Sequence, residues 1–242
     1  MKKLRAAGII PARFASTRFP GKLLANLNGR PVLEWAFLSA KKSKAFARII
    51  VATDDYRILR AASNFGAEAV LTKPSHLSGT DRIAEVARKL NCDVVVNLQG
   101  DHPFVPAAMI RNLLASFADK KVQAATLAYA EKDATNLKNP NLVKVVFDKN
   151  NFALYFSRST IPWEAKEVFI HIGLYAFQKK FLLNLVRKKP APLEKSEKLE
   201  QLRILENGTP LKVVLVKEAL PSIDAPEDMA KAAAWAEKRG WK

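Results

Sequence analysis

Through residue 117 the chain alternates short apolar runs with helical patterns, and that order restricts the fold more than any other feature. Residues 6–11 read as a strand, Val32–Lys42 as a helix, and Arg48–Thr53, rich in β-branched residues, as a second strand. Ile58, Leu59, Ala62 and Phe65 then fall at helical spacing, with Gly66 as a stop signal. Residues 67–72 read as a third strand. Ile83, Val86, Ala87 and Leu90 follow the i, i+3, i+4, i+7 rule of an amphipathic helix. Residues 93–98 form a continuous apolar run, the pattern of a strand buried on both faces. Ile110, Leu113, Leu114 and Phe117 mark a further helix. This alternation predicts an α/β fold with a mostly parallel sheet and helices on both faces. Right-handed crossovers put the loops after each strand along one edge, and in open α/β sheets that carboxyl edge binds ligands. Functional residues are therefore expected after Ile10, Thr53, Thr72 and Leu98.

The pattern changes near residue 122. Val143, Val145 and Phe147 alternate, Lys149-Asn150-Asn151 turns, and Phe152, Leu154 and Phe156 alternate again, which predicts a β-hairpin. Residues 170–177 predict another strand. Helices are expected over 179–188 and 193–206, the second stopped by Asn207-Gly208. Leu211–Val216 reads as a strand and residues 226–238 as a last, alanine-rich helix. The expected organisation is a first lobe over 1–130, a second over 131–210, and a return strand and helix over 211–242 that complete the first.

The loop after the first strand concentrates Arg13, Ser16, Thr17, Arg18, Gly21 and Lys22. Arginine offers paired donors to anionic oxygens and lysine a point charge. A basic surface loop is the plain reading; three cations with hydroxyls at the ligand edge favour an anion site. The loop is neither G-x-G-x-x-G nor a P-loop, so the dehydrogenase and ATPase motifs are absent. Ser78-Gly79-Thr80-Asp81-Arg82 opens the third helix, where Ser78 or Thr80 suits an N-cap and the helix start attracts anions. Asn97-Leu98-Gln99-Gly100-Asp101 ends the most apolar strand. Gln99 suits a base or a sugar hydroxyl. Asp101 suits either a turn or Mg²⁺, which takes one or two carboxylates together with substrate phosphates. Asp224 with Glu227 fits a capping box, and Asp224 becomes a second metal ligand only if the fold brings it to Asp101.

Forty Lys and Arg against 23 Asp and Glu leave a net charge of +17, a field that attracts nucleotides, acidic sugars, nucleic acid or an anionic membrane. The cations are spread along the chain without a dense stripe interleaved with aromatics, which disfavours nucleic acid. Cys92 is the only cysteine, so no intramolecular disulfide forms, as suits a reducing compartment. The apolar run after Lys2-Lys3-Leu4-Arg5 is too short for a signal segment, and no run approaches the roughly 20 apolar residues of a spanning helix. No integral membrane segment and a cytoplasmic location are therefore expected.

The block P-A-R-F-A-S-T-R-F-P-G-K resembles the opening signature of the 3-deoxy-manno-octulosonate (KDO) cytidylyltransferases, or CMP-KDO synthetases. The resemblance continues in collinear order through I-I-V-A-T-D, H-L-S-G-T-D-R-I-A-E-V, V-N-L-Q-G-D, N-P-N-L-V-K-V-V, A-L-Y-F-S-R-S-T-I-P-W, H-I-G-L-Y-A-F, L-E-Q-L-R-I-L-E-N-G and I-D-A-P-E-D. It covers nearly the whole chain, and the A-L-Y-F-S-R-S-T-I-P and L-E-Q-L-R blocks are specific to that family. It implies a Rossmann-like nucleotidyltransferase sheet with a hairpin-containing second lobe. It also implies transfer of CMP from CTP to KDO, with release of pyrophosphate, for lipopolysaccharide biosynthesis. Arg13, Ser16, Thr17 and Lys22 would then surround the triphosphate, and Ser78, Gly79 and Arg82 would seat the nucleotide. Gln99 would lie between nucleotide and sugar. Asp101 and Asp224 would hold Mg²⁺, and Arg18, Arg158, His171, Tyr175, Glu200 and Gln201 would form the sugar pocket. Asp101, Asp224, Lys22 and Arg13 carry the chemistry in this reading, and a homodimer is implied.

The chain departs from the family's usual Q-G-D-E-P at His102, and its segment 163–170 is short. A cytidylyltransferase for 8-amino-KDO or sialic acid is the nearest alternative. A non-catalytic basic protein that binds nucleotides or nucleic acid is the alternative of another class, and the presence of both Asp101 and Asp224 argues against it.

Overall fold

A computed structural model describes residues 4–16 and 18–241, with Ala134 through its backbone alone. In chain order the first elements are β1 (Ala6–Ala12), β2 (Asn26–Leu27), β3 (Arg30–Pro31), α1 (Val32–Lys42), β4 (Arg48–Thr53), α2 (Tyr56–Asn64), β5 (Glu68–Leu71), α3 (Gly79–Arg88), β6 (Val94–Asn97) and α4 (Ala107–Ala115). They are followed by β7 (Ala124–Glu131), α5 (Ala134–Lys138), β8 (Lys144–Phe147), β9 (Ala153–Ser157), β10 (Val168–Gln178), α6 (Lys179–Leu185), α7 (Pro192–Glu197), α8 (Leu202–Glu206), β11 (Leu211–Val216) and α9 (Asp228–Lys238). Among the described residues no helix is long and apolar enough to cross a membrane. The chain divides into two units, residues 1–111 with 220–242, and residues 112–219.

In the first unit β6, β1, β4 and β5 lie side by side, every pair parallel. The register pairs Gly8 with Val96 and Ile10 with Val51, which brings the ends of β1 and β6 to one edge. Helices cover the strands, so Ile9, Ile10, Val51, Val95 and Val96 are fully buried, and Leu33, Ile58 and Ile83 close over them from α1, α2 and α3. Removing that much apolar surface from water is the main stabilising term of such a unit. Phe104 stands within 5.3 Å of Trp35, 6.1 Å of Trp235 and 5.3 Å of Trp241, ring centre to ring centre. This aromatic cluster docks α9 and with it the segment that precedes the helix.

In the second unit β7 runs parallel to β11 and antiparallel to β10, and β10 pairs with the β8–β9 hairpin. The hairpin turn is closed by the Asp148 carboxylate, which accepts from the backbone N–H groups of Asn150 and Phe152 at 2.8 Å, with Asn151 in the left-handed region at φ 58°.

Besides the short elements β2, β3 and α5, three larger features differ from the sequence expectation. β7 was not anticipated, because A-A-T-L-A-Y-A-E is alanine-rich and lacks a clean period of two; its first six residues are all buried between neighbours. The helix expected over 193–206 is two short helices, broken where Lys198 adopts φ 55°. β11 pairs with β7 and buries Leu211 and Val213, so only residues 220–242, and not 211–242, rejoin the first unit.

Candidate active site

The loop after β1 folds back through Gly21, which sits at φ 72° and donates its N–H to the Phe14 carbonyl at 3.0 Å. A side chain at residue 21 would be strained by that φ and would crowd the Phe14 ring at 3.2 Å. A 3-10 turn over Lys22–Leu24 follows and presents Lys22 to the carboxyl ends of β1 and β6. The Lys22 ammonium donates to Asp101 Oδ2 at 2.8 Å, to the Ile223 carbonyl at 2.9 Å and to Asp224 Oδ1 at 3.3 Å. Arg18 reaches the same Asp224 oxygen at 3.0 Å. The condition set for Asp224 is therefore met: the fold brings it to Asp101. The Ile223 N–H donates to the Asp101 carbonyl at 2.9 Å. The Asp228 carboxylate, rather than Glu227, accepts from the backbone of Asp224 and Ala225, both at 3.0 Å. Burial pushes the Asp101 carboxyl up; the charges of His102 and Lys22 and the Lys22 hydrogen bond outweigh it, and the carboxyl lies below its ordinary value.

These groups face a cavity of about 440 Å³ lined by Arg13, Ser16, Arg18, Lys22, Leu77, Gly79, Gln99, Gly100, Asp101 and Asp224. Its size falls in the range of small-molecule sites, roughly 300–1,000 Å³. Ser78 caps α3: its Oγ accepts from the Asp81 N–H at 3.1 Å, and Asp81 accepts from the Ser78 N–H at 3.2 Å. The capped start of α3 points its Gly79 into the cavity wall. Arg82 does not line the cavity. It is fully buried and donates to Asp54 Oδ2 at 2.7 Å and to the Thr72 hydroxyl, bracing the loops after β4 and β5 against each other. Thr17 lies outside the described residues. Ala15, Leu23, Leu77 and Gly100 also line the cavity; each adjoins a residue expected there, which is the signal the sequence carries for them.

In the second unit His171, Tyr175 and Gln201 come together. The Tyr175 hydroxyl donates to Gln201 Oε1 at 3.0 Å, the His171 and Tyr175 rings are 5.3 Å apart, and His171 Nε2 is 2.9 Å from the Thr126 hydroxyl. A register shift in β10 between Ile172 and Tyr175 sets these two side chains. Burial, and then the charge of Glu200, push the Tyr175 phenol well above its ordinary value, so the hydroxyl stays a donor. Gln201 Nε2 is buried without a hydrogen-bond partner among the described residues. Arg158 is a brace: its guanidinium donates to the carbonyls of Glu197 at 2.9 Å, Pro140 at 3.1 Å and Lys198 at 3.4 Å. Beside it the fully buried Lys144 donates to the carbonyls of Asn139 at 2.6 Å and Arg158 at 3.0 Å, and burial lowers its pKa.

Among the described residues no group of three or more His, Cys, Asp or Glu side chains converges. Two carboxylates do converge, and the cation between them is Lys22. A pair of carboxylates beside an anion-facing cavity fits Mg²⁺, which keeps water and substrate phosphates as its other ligands.

A family model described as cytidylyltransferase matches residues 7–217. The 3-deoxy-manno-octulosonate cytidylyltransferase of Fusobacterium nucleatum is 43% identical, over 93% of this chain and 94% of its own. The enzyme of the same name from Geobacter metallireducens is 41% identical over 94% and 96%. A solved CMP:2-keto-3-deoxy-manno-octonic acid synthetase in complex with CTP superposes with a TM-score of 0.92 at 35% identity, covering 97% of this chain and 99% of that one. The Rossmann-like sheet that carries the cavity, the two carboxylates that meet at Lys22 and these likenesses agree, and the chain belongs to the 3-deoxy-manno-octulosonate cytidylyltransferase family.

Proposed function

We propose that this chain transfers CMP from CTP to 3-deoxy-manno-octulosonate, releasing pyrophosphate and supplying CMP-KDO for lipopolysaccharide assembly. The observation that carries the reading is the meeting of Lys22, Asp101 and Asp224 in a cavity walled by Arg13, Ser16, Gly79 and Gln99. The anomeric hydroxyl oxygen of the sugar forms a bond to the α-phosphorus, the bond from that phosphorus to the bridging oxygen breaks, and pyrophosphate leaves with the electron pair. The hydroxyl proton passes to solvent. Arg13 and Lys22 bind the negative oxygens, and the start of α3 adds its dipole. Asp101 and Asp224 would hold Mg²⁺, which when bound neutralises developing charge on phosphate oxygens. Tyr175, Gln201, His171 and Glu200 offer hydrogen bonds to a polyol, and Arg158 holds the turn that carries two of them.

A homodimer formed through the hairpin unit belongs to the same reading, supported by Leu154 on β9 and Trp163, which are 63% and 86% exposed. So does a cytoplasmic location, supported by the lone Cys92. Light scattering checks the first.

The test is pyrophosphate release with CTP and Mg²⁺ against KDO, 8-amino-KDO and sialic acid. Release with KDO is expected, and its loss by a hundredfold or so in Asp101→Asn and Asp224→Asn, about 2.7 kcal/mol of barrier. Silence with all three sugars overturns the reading, and preference for the amino sugar reassigns the acceptor.

A further inference from the structure

We propose that Glu85 and His76, which lie outside the cavity, are positioning residues for the nucleotide. The proposal rests on the function proposed above. The loop over 73–78 that leads into α3 includes exposed residues and puts Leu77, 86% exposed, at the cavity. Two carboxylates of α3 hold this loop from one side. Asp81 and Glu85 are four apart and so share a helix face. Asp81 takes the Ser78 N–H, as described. Glu85 Oε2 accepts from the Lys73 N–H at 3.1 Å and from His76 Nε2.

The carbonyl of the same His76 accepts from the Arg13 guanidinium. A relay thus runs from Glu85 through His76 to a cation of the cavity wall. A guanidinium is a planar fork of five donors; pinning one nitrogen to a fixed carbonyl fixes the plane in which the others meet an anion. The His76 and Glu85 side chains are only 18% and 29% exposed, so the link is shielded from competing water. Glu85 is pushed up by burial, and the hydrogen bonds from His76 and Lys73 overcome this and leave it below its ordinary value, which keeps it an acceptor for both.

The relay binds no substrate atom. Its effect is to cut the ordering that CTP would otherwise impose on binding, so its loss weakens CTP affinity and leaves the sugar side alone. The experiment begins with the unmodified protein, by calorimetric binding of CTP and by pyrophosphate release at varied CTP. Absence of CTP binding there sinks the parent reading, not this one. Given binding, Glu85→Ala and His76→Phe are expected to raise Kd and KM for CTP about tenfold, with kcat at saturating CTP and KM for the sugar within twofold. Glu85→Gln and His76→Gln retain an acceptor and a donor at these atoms and are expected to stay within threefold of wild type. His76→Phe, compared with His76→Gln, decides the matter if Glu85→Ala does not fold. A role confined to folding would lower Tm and scale kcat with the active fraction at constant KM; that outcome, or wild-type CTP affinity in all four variants, overturns the proposal.

Discussion

Lys22→Met removes an ammonium and keeps an unbranched stem of similar length. The Lys22 side chain is 13% exposed and its ammonium donates to Asp101, Asp224 and the Ile223 carbonyl. Hydrogen bonds to charged groups contribute about 1.5–3 kcal/mol each when shielded. Asp101 and Asp224 retain 27% and 39% exposure, so water replaces part of what is lost. A net cost of ~2–3 kcal/mol follows, and for a chain of this size Tm falls by roughly 5–10 °C.

The pH dependence is the sharper check on that cost. In wild type the folded Asp101 carboxyl lies below its ordinary value. It therefore contributes stability that is complete above the unfolded value of about 3.9 and is lost as pH falls through the lower folded value. Without Lys22, burial is opposed only by the charge of His102 and a backbone hydrogen bond, and the folded value rises. The deficit of the variant must then be larger at pH 7 than at pH 4. Thermal unfolding by circular dichroism, with chelator present and no nucleotide, measures it. A deficit that is constant or shrinks from pH 4 to pH 7 would refute the claim that Lys22 holds the Asp101 carboxyl charged.

Arg82→Met leaves Asp54 and Thr72 without their buried donor and is expected to cost about 3 kcal/mol, read as a lower urea midpoint. Tyr175→Phe strips Gln201 of its remaining side-chain partner among the described contacts; about 1–2 kcal/mol of stability is lost and KM for the sugar rises several-fold, with KM for CTP unchanged. Glu197→Ala frees the Ser157 hydroxyl and the Arg158 N–H it accepts from at 2.7 and 2.9 Å, so the turn before Glu200 loosens. Its sugar KM is expected to rise about fivefold, roughly 1 kcal/mol, in the same kinetic assay.

Elements built on local periodicity were legible in the sequence. α1, β4 and β11 stand at the residues expected, because β-branched runs and helical stripes carry their own signal. The ligand edge was legible too, since topology alone puts Lys22 and Asp101 there. What was not legible depends on distant pairing. β7 is a strand because β10 and β11 flank it, and nothing in eight alanine-rich residues announces that. Arg82 is expected to seat the nucleotide, yet at the fourth residue of α3 its side chain is buried and meets Asp54 and Thr72 in the loops after β4 and β5. Arg158 is expected in the sugar pocket, and its guanidinium meets backbone carbonyls of a turn 39 and 40 residues away in sequence. A sequence names the charge; only the fold says which oxygen it meets.

His102, where the sequence departs from the expected Q-G-D-E-P, shows the same distinction. Its Nδ1 lies 3.2 Å from the Pro221 carbonyl. A carbonyl only accepts, so Nδ1 carries the proton. Three hydrogen bonds then stitch residues 221–223 to the site: His102 to the Pro221 carbonyl, the Ile223 N–H to the Asp101 carbonyl, and Lys22 to the Ile223 carbonyl. Asp224 follows directly, and its distance from Asp101 is set by that seam. His102 is not among the residues that wall the cavity. The imidazole thus acts on the backbone that carries the second carboxylate and on the charge of the first.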